Sequence, residues 1–153
     1  MKRFLAAGFA LFLLLLLPAC RGGSPESTSY GADGELTQAE VRGHYEILFQ
    51  AAGEEAFGYA VDFITLDERL TMVLRPNQSD ATALSFDSYD PKTGTAKLEQ
   101  SKEGADGIYT LFCEITFTEH NGKLAFEGTY TVERDSVVEK DYDISGSMIL
   151  ALC

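Results

Sequence analysis

Positive charge is scarce in this chain. Twelve Lys and Arg stand against 24 Asp and Glu, a formal net charge of −12 over 153 residues. A surface this acidic is repelled by phosphate backbones and anionic headgroups, which argues against nucleic acid as a partner. Histidine is nearly absent: only His44 and His120 occur. Neither has a second His or Cys at ligand spacing, so no transition-metal site is expected. Catalytic signatures are missing as well. The chain has no nucleophile elbow, Gly-rich phosphate loop or HExxH pattern, and the expectation is a protein that is not an enzyme and carries no cofactor. No internal repeat stands out at a period of about 20–50 residues.

What is present begins with a leader. Lys2 and Arg3 precede an uncharged run from Phe4 to Leu17 that ends at Pro18. A run of this length suits the hydrophobic region of an export signal and is short of the roughly 20 residues that span a membrane as a helix. Leu17-Pro18-Ala19-Cys20 resembles the lipobox of bacterial lipoproteins. That resemblance implies cleavage of residues 1–19 and lipidation of Cys20 through a diacylglyceryl thioether. It places the mature chain, lipid-anchored, on the outer face of a bacterial membrane. Stable anchoring takes two acyl chains. Loss of the leader removes two bases, leaving ten against 24 acids and a net charge of −14, so the lipid is the expected hold on the membrane. Residues 20–35, rich in Gly, Ser and acids after the Cys, read as a flexible tether. Residues 36–153 are expected to form one domain.

Two periodicities compete over residues 36–52. Thr37 and Glu40 make a capping-box pattern, and Val41, Tyr45, Leu48, Phe49 and Ala52 match a helical stripe. Val41, Gly43, Tyr45, Ile47 and Phe49 also alternate with polar residues, as a strand requires. Gly43 costs a helix interior about 1 kcal/mol relative to Ala. The favoured reading is a helical turn at 37–40 leading into a strand; one continuous helix is the alternative.

From Phe57 onward every pattern is β. Phe57, Tyr59, Val61 and Phe63 alternate, then Asp67-Glu68 marks a tight turn, and Leu70, Met72 and Leu74 alternate in their turn. Leu84 and Phe86 mark a fourth strand. Asp90-Pro91-Lys92-Thr93-Gly94 supplies turn chemistry, with Gly94 left-handed; Ala96 and Leu98 follow. Placing Tyr89 opposite Thr95 sets Phe86 opposite Leu98. Around Asn121-Gly122, a type I′ hairpin turn, Phe117 pairs with Phe126, Ile115 with Gly128, Cys113 with Tyr130, and Leu111 with Val132. A one-residue slip would wet the whole apolar set of one strand. Beyond a charged loop around Glu139-Lys140, a last strand shows Tyr142, Ile144, Gly146, Met148, Leu150 and Leu152 on one side. The expected fold is all-β: an antiparallel up-and-down meander of about eight strands forming a small barrel or strongly curled sheet, with a short helical turn at its start.

Gly43-His44-Tyr45, followed by this meander, resembles the Gly-x-aromatic opening of the lipocalin-like (calycin) barrels. Those families usually carry Trp where Tyr45 stands, and this chain has no Trp. The resemblance implies a small apolar molecule in the mouth of the barrel.

The inward aromatic stripe of Tyr45, Phe49, Phe57, Tyr59, Phe63, Phe86, Tyr109, Phe117, Phe126 and Tyr130 is the candidate ligand surface, with Tyr45, Phe49, Tyr59, Phe63, Phe117, Phe126 and Tyr130 as the candidate ligand residues. An eight-stranded barrel is just wide enough for its own side chains or one small ligand, and Gly43, Gly128 and Gly146 are either spare volume or bends. Asp87 and Asp90 read as a solvated acidic turn, with a hard-cation site as the alternative. Pairing Val132 with Ile144 sets Tyr130 opposite Gly146 and Cys113 level with Gly146, so Cys153 falls about 20 Å away, beyond disulfide reach, and two free thiols are expected. Two functions fit: a lipid-anchored extracytoplasmic module binding a small apolar or amphipathic ligand, or a non-catalytic envelope interaction protein with a filled core.

Overall fold

The structure is a computed structural model that describes residues 34–77, 80–120 and 123–151. The leader, Cys20 and nearly all of the tether lie outside the described residues, as do Leu152, Cys153 and the hairpin residues Asn121 and Gly122. The fold is all-β, a curled half-barrel sheet of nine antiparallel strands with one short helix.

The helix α1 (Gln38–Val41) is a single turn, and β1 (Gly43–Gln50) follows at once. The favoured reading of this segment is borne out. The Glu40 carboxylate reaches back to the Thr37 N–H at 2.7 Å and to its hydroxyl at 2.8 Å, satisfying a donor the short helix leaves free. In β1, Gly43, Tyr45, Ile47 and Phe49 are buried and the residues between them are not.

The remaining strands are β2 (Phe57–Leu66), β3 (Arg69–Arg75), β4 (Thr82–Ser85), β5 (Ser88–Asp90), β6 (Thr95–Gly104), β7 (Gly107–His120), β8 (Lys123–Arg134) and β9 (Val137–Ala151). The order is β4-β3-β2-β1-β9-β8-β7-β6-β5. First and last strands pair, as a curled meander demands. The two edge strands are neighbours in sequence. Phe86 donates its N–H to the Leu70 carbonyl of β3 at 2.9 Å, and Asp87 donates to the Lys97 carbonyl of β6 at 2.8 Å. One corner of the curl is thus joined by Phe86–Asp87 rather than by a ladder. This break makes nine strands of the expected eight: Phe86 turns inward onto Phe63, while the Asp87 carboxylate takes the Glu99 N–H at 2.8 Å.

The β7–β8 register is as read from sequence, with Phe117 opposite Phe126 and Cys113 opposite Tyr130. His120 is the last residue of β7 and pairs with Lys123. Asp67 and Glu68 both take positive φ and close the β2–β3 hairpin.

Two expected registers are corrected. Tyr89 pairs with Ala96 and Asp90 with Thr95, one residue from the expected frame, so Phe86 does not face Leu98. Asp90 decides this, because its carboxylate accepts the Lys92 N–H at 3.0 Å and the Thr93 hydroxyl at 3.1 Å, holding a four-residue loop shut. The second correction is larger. Val132 pairs with Lys140, Tyr130 with Tyr142 and Gly128 with Ile144. Asp135 and Ser136 both adopt positive φ and form a two-residue turn, so Glu139 and Lys140 sit in β9 rather than in a loop. A register shift at Val132/Glu133 absorbs the odd residue. A second shift, between His44 and Tyr45 against β9, leaves Met148 beside Tyr45 and turns Leu150 out to solvent.

All core residues lie between Leu36 and Met148, so the described domain carries its own core. One end is closed. Leu36 is buried there, its N–H on the Pro91 carbonyl at 2.8 Å and its own carbonyl on the Tyr89 hydroxyl at 2.7 Å. Val41 of α1 is buried beside it and accepts the Tyr45 hydroxyl at 2.9 Å. At the other end β6–β9 run on past Gln50, the last residue of β1, which pairs with Asp143. The inward positions Tyr142 and Lys140, and then Val137, lie beyond that point.

Candidate binding surface at the open end of the sheet

All seven aromatic residues picked from the sequence lie on the inward face, and the structure sorts them into two groups. Tyr45, Phe63, Phe117 and Phe126 are buried at the closed half. All six pairs among them have ring centroids 4.9–6.1 Å apart. Rings at such separations fill the space between them, mostly edge to face. Burial and the nearby Tyr89 push the Tyr45 hydroxyl well above the ordinary phenol range.

The glycines do not open this half. A Cβ on Gly146 would lie 2.4 Å from the Phe126 ring and from the Glu46 carbonyl, and one on Gly128 would lie 1.9 Å from the Glu114 carbonyl. Both are close approaches of a strand to its neighbour, so neither position is the spare volume that was one of the two roles expected.

Phe49, Tyr59 and Tyr130 form the other group, nearer the open end. Phe57 of the same stripe joins them, as does Tyr142, which the sequence reading did not pick. Phe49 is the hub. Its ring stacks on Phe57 at 5.3 Å and meets Tyr130 at 5.4 Å, Tyr142 at 5.7 Å and Tyr59 at 6.0 Å. Phe49 is buried, Phe57 is 37% exposed, and the three tyrosines are half-buried. Burial, with the neighbouring Cys113 and Tyr142, raises the Tyr130 hydroxyl above its usual range. Among the described residues no hydrogen bond reaches the hydroxyls of Tyr59, Tyr130 or Tyr142. Phe57 was visible as part of a strand pattern; Tyr142 was hidden by the misplaced β8–β9 register.

Above these rings the inward face continues in two ladder rows. The first is Gln100, Leu111, Val132 and Lys140; the second is Lys102, Tyr109, Arg134 and Val137. Arg134 is held from both sides, by Asp106 at 2.9 Å and by Glu139 at 2.7 Å. The Tyr109 hydroxyl also donates to Asp106, and this bond, with the Arg134 contact, keeps the Asp106 carboxyl below the usual carboxylate range. Lys102 and Lys140 form no ion pair among the described residues.

The other polar candidates are accounted for locally. His44 packs its Nδ1 against the Asp62 carboxylate, whose second oxygen accepts the Arg75 guanidinium at 2.8 Å. Burial pushes the Asp62 pKa up, but the hydrogen bonds and charges of Arg75 and His44 prevail and hold it below the usual carboxylate range. Asp87 takes Arg69 at 3.2 Å besides the Glu99 N–H, and Asp90 is engaged in its own turn. Among the described residues no cluster of three or more His, Cys, Asp or Glu side chains could hold a metal ion. Cys113 is free and buried, its thiol pushed up to about 12 by burial. The corrected register sets it level with Tyr142, eleven positions before Cys153.

No family of proteins, no curated protein and no solved structure matches this chain.

Proposed function

We propose that this protein is a lipid-anchored extracytoplasmic module that binds a small apolar or amphipathic ligand at the open end of its curled sheet. The observation that carries this reading is the partly exposed aromatic layer of Phe49, Phe57, Tyr59, Tyr130 and Tyr142. It is concave, continuous with the core, and left uncovered at the end opposite α1. Ligand sites are of this kind: mostly apolar and aromatic, with a few polar groups that orient the guest. The function is binding without catalysis, and the anchor is Cys20 behind its leader. Native mass spectrometry of residues 21–153, purified without detergent, tests the ligand: a co-purifying apolar molecule displaced by the Phe57→Ala change is the expected result. Repeated absence of any guest, with no thermal shift across a lipid and metabolite panel, overturns it. Acyl labelling of the full-length chain, abolished by Cys20→Ala, tests the anchor.

A second reading rests on the closed half. Its interior is filled by Tyr45, Phe63, Phe117 and Phe126, while Leu48, Ile149 and Leu150 are exposed on the outside. A protein of the cell envelope that docks a partner on this outer face would have such a surface. A stable complex lost on Leu48→Lys, with the inner rim intact, distinguishes it.

A further inference from the structure

We infer that the ligand is a dissolved anionic amphiphile, its apolar body on the rim aromatics and its headgroup between Lys102 and Lys140. This deepens the binding reading and rests on it.

The sign of charge separates across the thickness of β6–β9. Beyond the Ile144 row, the inward positions hold three bases, Lys102, Arg134 and Lys140, and no acid. On the outward ladder positions over the same span stand Glu99, Glu103, Glu114, Glu133, Asp141 and Asp143 against one base, Lys97, which pairs with Glu114. In a chain with twice as many acids as bases, inward ladder positions with no acid run against its composition, and the two carboxylates that reach this face, those of Asp106 and Glu139, both close on Arg134. Arg134 is already matched by Asp106 and Glu139. That leaves the two lysines as the charge offered to a guest.

The rows also order polarity along the strands. Aromatic rings come first, then Leu111 and Val132 with Lys140 at the end of their row, then Lys102 with Tyr109. Each row advances about 7 Å, so Lys140 lies roughly 7 Å and Lys102 roughly 14 Å beyond the ring row. An amphiphile laid along this gradient keeps its apolar body on the rings and its charged end at the tip, where it is solvated and paired. A membrane headgroup is the less fitting source of the same charge. The chain reaches α1 at the closed end, so the lysines lie at the far end of the domain from the tether.

Calorimetric titration of residues 21–153 with dodecanoate, dodecanol and dodecyltrimethylammonium tests the inference. Dodecanoate is expected to bind about tenfold more tightly than the alcohol, two exposed charge contacts giving a factor of that order. The cation should bind most weakly. Lys102→Glu with Lys140→Glu should remove the preference for the anion, whereas Lys97→Glu, an outward change on the same strand, should leave it. Equal binding of all three probes, unchanged by the double reversal, overturns the inference and leaves the apolar binding reading standing. Binding of none overturns both. Co-flotation with phosphatidylglycerol vesicles that depends on the two lysines, without dodecanoate binding, assigns the charge to a membrane and overturns the inference alone.

Discussion

Truncating one ring in each aromatic layer separates filler from ligand surface. Phe63 is fully buried and touches Tyr45, Phe86, Phe117 and Phe126. Glycine close approaches and β-ladders fix the strands around it, so little collapse can follow its removal. Phe63→Ala should cost about 3–5 kcal/mol, the range for a ring deleted from a site that cannot relax. With an m-value of about 1–3 kcal/mol per molar in urea, the midpoint should fall by roughly 2 M. Phe57 is 37% exposed, and its ring meets those of Phe49, Tyr59 and Tyr142. Phe57→Ala should cost about 1 kcal/mol, since much of its ring is wet already. The assay is urea unfolding followed by far-UV circular dichroism and tyrosine fluorescence, with ligand binding measured on the folded variants. Phe57→Ala should lose affinity while keeping the fold. If Phe63→Ala and Phe57→Ala cost the same, the division of the inner face into a filled half and a binding half is wrong.

The other predictions concern polar and backbone features. Asp62 has its pKa lowered in the fold, so the stability it adds is complete above the ordinary carboxylate range and is lost as pH falls through the lowered value. Asp62→Asn should therefore be less stable than the parent at pH 7, and the gap should close as pH falls through the lowered value; a gap unchanged by acid refutes the ion-pair account. Cys113, buried and with its thiol pushed up to about 12, should resist iodoacetamide in the native state and react in urea, read from its own peptide by mass spectrometry. Gly146→Val should destabilise by at least about 2 kcal/mol, because the added side chain meets both a backbone carbonyl and the Phe126 ring; an unchanged urea midpoint would mean that the strands can separate there.

Period-two alternation was enough to read the β class, the β1 strand after its helical turn, and the β7–β8 register. Those features are local: a side chain faces in or out, and Asn121-Gly122 fixes a two-residue loop. The β8–β9 hairpin was misread because its turn is Asp135-Ser136, which carries no glycine although both residues take positive φ. A charged stretch then passed for a loop, while it lies in β9 with Lys140 on the inward face beside Val132. Tyr142 and Lys140 were missed as site residues for this one reason. Likewise the break at Phe86–Asp87 comes from two distant partners, Leu70 and Lys97, and no pattern along 82–90 encodes them. The seven aromatics were correctly placed on one face, but which of them are covered depends on how far each strand runs. That is a property of the sheet and not of any single strand.

Strand length is also what gives the domain a direction. β7, β8 and β9 have 14, 12 and 15 residues, against eight in β1. Equal strands would end together and leave rings at the rim of a symmetrical curl. Unequal strands leave a projecting four-stranded sheet, with one face continuous with the core and the other facing solvent. Its inward ladder positions carry bases and no acid, and acids outnumber bases on the outward ones. A sheet that served only to cover the core would gain nothing from running past it, since the extra rows bury little and leave Ile108, Val137 and Val138 exposed at their tip. Shortening the projection therefore separates its roles. Removing residues 102–109 and 132–140, with a two-residue turn closing each hairpin between Ser101 and Thr110 and between Thr131 and Asp141, should leave the urea midpoint within about 0.5 M of the parent, because every fully buried side chain lies below the cut. The same change should abolish the preference for an anionic amphiphile. A truncated domain that unfolds early would mean that the projection supports the core, and its polarity would then need no ligand to explain it.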